Sequence, residues 1–425
     1  MAFIRKNDIA PFEKKLWLAS PTMHGEELKY MQEAYDTNWI STLGANIDEV
    51  ESAIAKMIGV KHAIGLSSGT AALHLSARLA GEKLYGRAPA NRGTLAGRKV
   101  FASDVTFDAT VNPIAYEGGE AVLIDAERET WNMDPEALEK AFGLFPEVKL
   151  VVLAHLYGTP GKIAEIREVC RRHGALIIED AAESLGATYV LDGVERETGS
   201  FGDLNCISFN GNKIITGSSG GMFLTDSDED AEKIRKWSTQ SREKAHWYQH
   251  EELGYNYRMS NVIAGVVRGQ LGHIDEHIAQ KRALYERYRE GFAGLHVSMN
   301  PFDRERSTPN YWLNCMLIEE SAMCRQERGD LNASFVPEHG KSCPTEILEA
   351  LCSINAEGRP IWKPMHLQPI YRRNPFVTVR GLAEPGAQDA VGSDIFRRGL
   401  CLPSDNKTTP AQQDIVIEIV RRCFE

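Results

Sequence analysis

The stretch Ile177–Ser184, IIEDAAES, decides the fold reading: an apolar run ends on two consecutive acids, so Asp180 falls at the carboxyl end of a strand. In open α/β sheets, ligands bind beyond that end of the strands. An aspartate there can also simply cap the following helix, and the octapeptide alone leaves both roles open. Outward from it, short apolar runs alternate with amphipathic stretches between about Val60 and Asp226. The runs are 62–66, 99–103, 121–125, 150–155, 175–179, 206–209 and 221–225, with helical patterns over 71–80, 135–142 and 163–173. Gly174 follows the last of these as a C-cap. Such alternation predicts an α/β domain with a mostly parallel sheet flanked by helices.

Two further segments qualify as chemistry-bearing. In SFNGNKIITGSSGGM, 208–222, a strand ends in a polar turn that presents Lys213, and a Gly/Ser-rich run leads into the next strand. A lysine in a polar turn is ordinarily solvated. Here its neighbours are hydroxyls, amides and glycines, which let backbone approach a phosphate closely. In GLSSGTAALHLSARLAG, 65–81, a strand, a Ser/Gly/Thr turn and a helix follow one another. Free amides at a helix N-terminus make an anion site, although a plain Ser/Thr cap reads the same way.

The three parts together answer one chemical requirement. Pyridoxal phosphate (PLP) needs a lysine to bond to its aldehyde, a carboxylate on its ring nitrogen and a cradle for its phosphate.

With GTAAL, EDAAES, SFNGNKIIT, GYNYRMSN and RPIWKPMH on one chain, the sequence resembles the DegT-type nucleotide-sugar aminotransferases over almost its whole length. The block 238–261 is similar to the subgroup that aminates UDP-linked 4-keto sugars on the route to bacillosamine. The resemblance implies a fold-type I PLP transferase with a large domain over 1–260 and a smaller C-terminal α/β domain over 261–425. By it, Lys213 bonds to the cofactor and moves the proton, and Asp180 faces the ring nitrogen. Phe107, in DVTFDAT, stacks on the ring, while Gly69, Thr70 and Ser208 hold the phosphate. Glu183 stands where many relatives carry Gln. Asn256 reaches the phosphate of a second subunit, which implies a homodimer with shared active sites. For Asn256 and Arg258, loop hydrogen bonding is the alternative.

Arg242, Tyr257, Arg258, Trp362, Lys363 and His366 are the candidates for holding the sugar nucleotide, since a cation opposite a diphosphate is physically apt. The implied reaction moves an amino group from L-glutamate to C4 of a UDP-linked 4-keto-6-deoxy-N-acetylhexosamine. A different nucleotide (TDP or GDP) or attack at C3 is the nearest rival. Dehydration of a deoxysugar is disfavoured because those relatives carry His at the lysine position. A ligand-sensing member without catalysis is disfavoured because binding alone needs neither Lys213 nor Asp180.

Composition bounds the rest. The chain has 425 residues and a formal net charge of -11, which argues against a general nucleic-acid binder. The opening MAFIRKNDIAPFEKK has no continuous apolar stretch, and no segment is long enough for a membrane span. A cytoplasmic protein is expected. Its eight cysteines include no CxxC pair, and His246/His250 and His273/His277, though four apart, form no HExxH motif, so no metal is expected. The stretch 83–99 reads as a surface loop between a helix and a strand, and 304–344 matches nothing in the resemblance.

Overall fold

The structure, a computed structural model, describes residues 9–425; the first eight residues of the opening segment lie outside the described residues. Nine strands form the main sheet, numbered here in chain order. They are β1 (His62–Leu66), β2 (Lys99–Ser103), β3 (Glu120–Ile124), β4 (Leu150–Ala154) and β5 (Leu176–Asp180). Then come β6 (Leu204–Ser208), β7 (Gly221–Thr225), β8 (Phe376–Thr378) and β9 (Gly381–Ala383). Their spatial order is β1-β7-β6-β5-β4-β2-β3-β8-β9. From β6 to β8 every pairing is parallel, whereas β7 runs antiparallel to both its neighbours.

This order places the carboxyl ends of β1, β2, β4, β5 and β6, and the start of β7, along one edge. Strands such as β4, β6 and β7 are buried at every position, as strands covered by helices on both faces must be. Seven apolar runs in the sequence correspond to β1–β7 within two residues at either end. The helix Ile163–His173 ends where expected, with Gly174 at φ 61°, a left-handed conformation that favours glycine.

Three expectations are corrected. The helical stretch after Asn261 is two helices, Asn261–Leu271 and Ile274–Gly291, parted at Gly272 and His273. The stretch read as a surface loop begins inside the helix Gly69–Tyr85, and its second half is anchored: Thr94 and Leu95 are buried. Thr94 donates from both its amide and its hydroxyl to the Glu117 carboxylate, at 2.7 and 3.1 Å. His246 and His250 lie in a loop, not on a helix face.

The C-terminal half builds its own antiparallel sheet from Val297–Met299, Cys315–Ile318, Gly399–Cys401 and Arg359–Pro360. It also sends β8 and β9 back to the edge of the main sheet, where Phe376 and Val377 pair with Leu123 and Ile124. The N-terminal segment in turn crosses to the C-terminal half, with the Phe12 and Leu16 amides on the carbonyls of Ile354 and Asn355. The chain thus exchanges segments across residue 260. Among the described residues, no helix is long and apolar enough to cross a membrane.

Candidate active site

The edge formed by the strand ends encloses a cavity of about 310 Å³. That is at the lower end of the range for small-molecule sites. Seven of the residues expected to hold a cofactor line it: Gly69, Thr70, Phe107, Asp180, Glu183, Ser208 and Lys213. Each follows or ends a strand of the main sheet, which is why residues far apart in sequence meet.

One wall is the N-terminus of the helix Gly69–Tyr85. Ser68 caps it, its Oγ accepting from the Ala71 amide at 3.0 Å. The first amides, those of Gly69 and Thr70, have no carbonyl within the helix to bond to. Ser208 Oγ accepts from the Asn210 amide at 3.3 Å and keeps its own hydrogen to donate. The close approach of these parts requires glycine: a Cβ on Gly69 would lie 2.8 Å from the Ser208 Cβ, and one on Gly221 would lie 2.4 Å from the Gly69 amide nitrogen.

Asp180 stands at the last position of β5, 6% exposed. Thr110 donates its hydroxyl to Oδ2 at 2.7 Å, and the Ala182 amide donates to Oδ1 at 3.1 Å. Both donors are neutral. Burial raises the carboxyl above its usual range, against the opposing pull of these donors and of Lys213 and His155. The residues after β5 form a turn and not a helix, so Asp180 does not cap one as the plain alternative had it; the bond from Ala182 closes that local turn instead.

Lys213, its side chain 12% exposed, lies with Nζ 3.4 Å from Glu183 Oε1 and 4.2 Å from the centre of the Trp312 ring. Glu183 Oε2 accepts the Tyr157 amide at 2.7 Å. Burial pushes the Glu183 carboxyl up to about 7, with Lys213 pulling the other way. Tyr157 has left-handed backbone, φ 54°, and the next residue, Gly158, has no room for a side chain, since a Cβ would lie 1.8 Å from Asn310 Oδ1. Asn310 in turn donates to the carbonyls of Glu183 and Leu185. The loop after β4 and the loop after β5 are thereby locked together under the lysine.

Phe107 is 54% exposed at the cavity mouth, its ring 5.4 Å from that of Trp362. Trp362 lines the same cavity and donates its amide to the Tyr157 hydroxyl at 2.9 Å. The other substrate candidates spread out. Lys363 lines a second hollow, of about 530 Å³, and pairs with Asp330 at 2.8 Å. Arg242 is exposed, over the Tyr248 ring. Tyr257 stacks on Tyr255 and meets His74 Nδ1 through its hydroxyl at 3.2 Å. Arg258 is buried against Glu51 at 2.5 Å and the Gly65 carbonyl at 2.8 Å. His366, 1% exposed, is held by Asp104 at 2.6 Å and stacked on Phe376. Neither Arg258 nor His366 lines the cavity. Asn256 is exposed and does not line it either.

Sequence reasoning missed Thr110, His155 and Trp312. His155 accepts the Gly161 amide on Nδ1 at 3.2 Å, so Nε2 carries the hydrogen that goes to buried Glu179 at 3.0 Å. Its place directly after β4 was a usable signal. Trp312 comes from the unmatched segment 304–344 and had none.

The residues fit PLP: an anion cradle that added side chains would fill, a buried carboxylate met only by neutral donors, and a lysine within the same cavity. An α/β fold with this site is that of a fold-type I, PLP-dependent aminotransferase. The chain belongs to the DegT/DnrJ/EryC1/StrS aminotransferase family, whose model matches residues 21–421. It is 37% identical to EpsN of Bacillus subtilis (strain 168) over 417 residues, 97% of this chain and 96% of that one. The name of EpsN assigns it, provisionally, to the pyridoxal phosphate-dependent aminotransferases. Identity to the GDP-perosamine synthase of Caulobacter vibrioides is 33% over 404 residues, covering 95% and 96% of the two chains. Among solved structures, DesI with its TDP-sugar product superposes with a TM-score of 0.79 at 25% identity, over 98% of this chain and 94% of that one. The aminotransferase PseC of Helicobacter pylori shares the fold, with a TM-score of 0.80 at 19% identity over 97% and 99% of the two chains.

Proposed function

We propose that the enzyme transfers the amino group of L-glutamate to C4 of a UDP-linked 4-keto-6-deoxy-N-acetylhexosamine, giving UDP-4-amino-4,6-dideoxy-N-acetylglucosamine. The observation that carries the amino transfer is the convergence of the Gly69–Thr70 amides, Asp180 and Lys213 on one cavity. The UDP-sugar assignment is supported by the likeness of the block 238–261 to the enzymes that act on that sugar.

PLP, when bound, supplies a ring that withdraws electrons from the carbon that loses its proton. The chain's own residues do the rest. The Gly69 and Thr70 amides and the Ser208 hydroxyl hold the phosphate dianion. Asp180 keeps a proton on the ring nitrogen, a task suited to a carboxylate whose two hydrogen-bond donors are neutral. Lys213 takes the proton at Nζ and returns it two bonds along, on the far side of the transferred nitrogen, and Glu183 fixes the position of that amine. Phe107 and Trp362 close the mouth and exclude water. Trp362 lines this cavity and its neighbour Lys363 the second hollow, where Lys363 meets the diphosphate.

Asn256 serves the cofactor phosphate of a second copy of the chain. The support is its exposure and its absence from the lining of its own cavity, on a loop whose neighbours Trp247, Tyr248 and Leu253 are exposed apolar side chains. Mixing Lys213→Ala with Asn256→Ala tests it: a mixed dimer has one site with both lesions and one with neither, so activity partly returns. No recovery after verified subunit exchange refutes the shared site.

A second reading is a GDP-linked keto-sugar, favoured by relatives named GDP-perosamine synthase at 33% and 30% identity. Purified enzyme with L-glutamate and a panel of UDP-, TDP- and GDP-linked 4-keto sugars decides between them. The expected result is preferential amination of the UDP-linked N-acetyl sugar. A kcat/KM at least about tenfold higher for a GDP sugar, roughly 1.4 kcal/mol of discrimination, overturns it.

A further inference from the structure

On the far side of the Lys213 loop, the histidines of HIDEH, His273 and His277, meet His24 of the N-terminal segment. His24 Nε2 and His277 Nε2 lie 2.8 Å apart. At that distance the two rings share a hydrogen bond, one Nε2 carrying the hydrogen and the other accepting it. His277 is buried, and its Nδ1–H donates to the Ile214 carbonyl at 2.8 Å. That bond fixes the tautomer, so His277 Nε2 accepts from His24 Nε2–H and the His24 Nδ1 lone pair is left to bind a ligand, the arrangement found behind metal-binding histidines.

Further donors stand at the same place. Ligand atoms of His24, His273 and Glu276 all lie within 4.8 Å of one another. The His273 ring meets Glu276 Oε2 at 3.3 Å and Glu26 Oε2 at 3.8 Å. His24 is held in place from below: its amide and that of Gly25 donate to the buried carboxylate of Glu27, at 3.0 and 2.7 Å. The positive end of the helix Ile274–Gly291 opposes a cation here, but Asp275 and Glu276 in its first turn offset that field. His24 and Glu276 are open enough to solvent for an ion to enter.

We infer that His24 and His273, with Glu276, form a site for a divalent zinc-type cation, and that His277 stands behind His24 as its hydrogen-bond partner. Two imidazoles and a carboxylate, completed by water, are a donor set that selects zinc over calcium or magnesium. The His24 and His273 rings are parallel with centres 3.5 Å apart, and one of them turns about its side-chain bonds to bring its lone pair to the ion. The site is structural. It ties the N-terminal segment to the helix Ile274–Gly291 and, through His277, to the Ile214 carbonyl beside the cofactor lysine.

The test is zinc binding by untagged holoenzyme, read as metal content after gel filtration and as melting temperature with and without Zn²⁺. The wild type should retain about one Zn²⁺ per chain and gain a melting increment that EDTA reverses. His24→Ala and His273→Ala should each weaken binding by at least about tenfold and lose the increment. Glu276→Gln, an exposed and isosteric change, should weaken it less, while His296→Ala, an exposed histidine elsewhere, should bind as the wild type does. Co²⁺ in place of Zn²⁺ should give the visible band of a four-coordinate site, absent from the His24→Ala variant. A wild type that retains no zinc, or a His24→Ala/His273→Ala double variant that retains as much, overturns the proposal.

Discussion

The two sides of the active cleft were built by different rules. On the cofactor side, the residues expected to hold the cofactor within the cavity each belong to a strand end or to the few residues after it: Gly69 beyond β1, Phe107 beyond β2, Asp180 ending β5, Ser208 and Lys213 at and beyond β6. On the substrate side, the candidates come from a hairpin-like loop and the C-terminal half, and they point in different directions. Arg258 faces inward to Glu51, His366 inward to Asp104, Arg242 outward, and only Trp362 faces the cavity. A position tied to a sheet edge inherits its location from topology. A position on a connecting segment must have its direction set by whatever it packs against.

The comparison breaks first at Lys213. Lys213→Ala removes the only amine among the described residues of the cavity lining, and the lost proton transfer alone is worth on the order of 10²–10⁴-fold. Turnover should fall by at least about 10³-fold while PLP is still bound non-covalently. Asp180→Asn should cost about 10²-fold or more in kcat with the melting temperature little changed, because the Asn oxygen still accepts from the Ala182 amide and the Thr110 hydroxyl can turn to accept from its NH2. Near-normal activity in either variant would show that the cofactor side had been misread.

On the other side the expected loss is of stability, not of substrate affinity. Arg258→Ala strips the 2.5 Å partner from buried Glu51, which keeps Arg235 and the Gly65 amide. Breaking a buried pair costs about 3–5 kcal/mol when the remaining charge is left alone; with Arg235 still present, roughly half of that is expected. Urea unfolding and the KM for the sugar nucleotide separate the readings. A large rise in KM with unchanged stability would return Arg258 to the substrate.

This contrast also sets what was legible in the sequence. The run-and-turn pattern located β1–β7 and singled out Asp180, Lys213 and the turn after β1, because strand ends are marked by local chemistry: acids, glycines and hydroxyls following an apolar run. The individual roles of Phe107, Gly69, Thr70 and Ser208 came from the resemblance. β8 and β9 were missed because each is only three residues long and the sheet accepts them from a distant segment. Trp312 was missed because nothing local marks a tryptophan as a cavity wall; its place is fixed by Asn310, whose partners are the carbonyls of Glu183 and Leu185. Arg258 and His366 carry the residue types that bind diphosphates, but residue type does not say which way a side chain points. Buried acids at Glu51 and Asp104, remote in sequence, claim both.

Glu183 gives the smallest and most selective effect, since it belongs to the cofactor side yet owes its properties to burial. In the cofactor-free protein its carboxyl titrates at about 7, against an ordinary value of 4.5, because the cavity floor excludes water. The folded state therefore holds a proton that the unfolded chain has already released between those two values. Stability drawn from this group is complete below about pH 4.5 and is lost as pH rises through about 7, with a slope of at most about 1.4 kcal/mol per pH unit. Glu183→Gln keeps the shape and an acceptor for the Tyr157 amide but cannot titrate. The wild type should accordingly lose stability relative to Glu183→Gln between pH 5 and pH 8, measured by urea unfolding of the cofactor-free proteins. Parallel pH profiles for the two would mean that Lys213, 3.4 Å away, holds the carboxylate ionised throughout, and that the pair is a salt bridge instead of a proton-holding acid beside an amine.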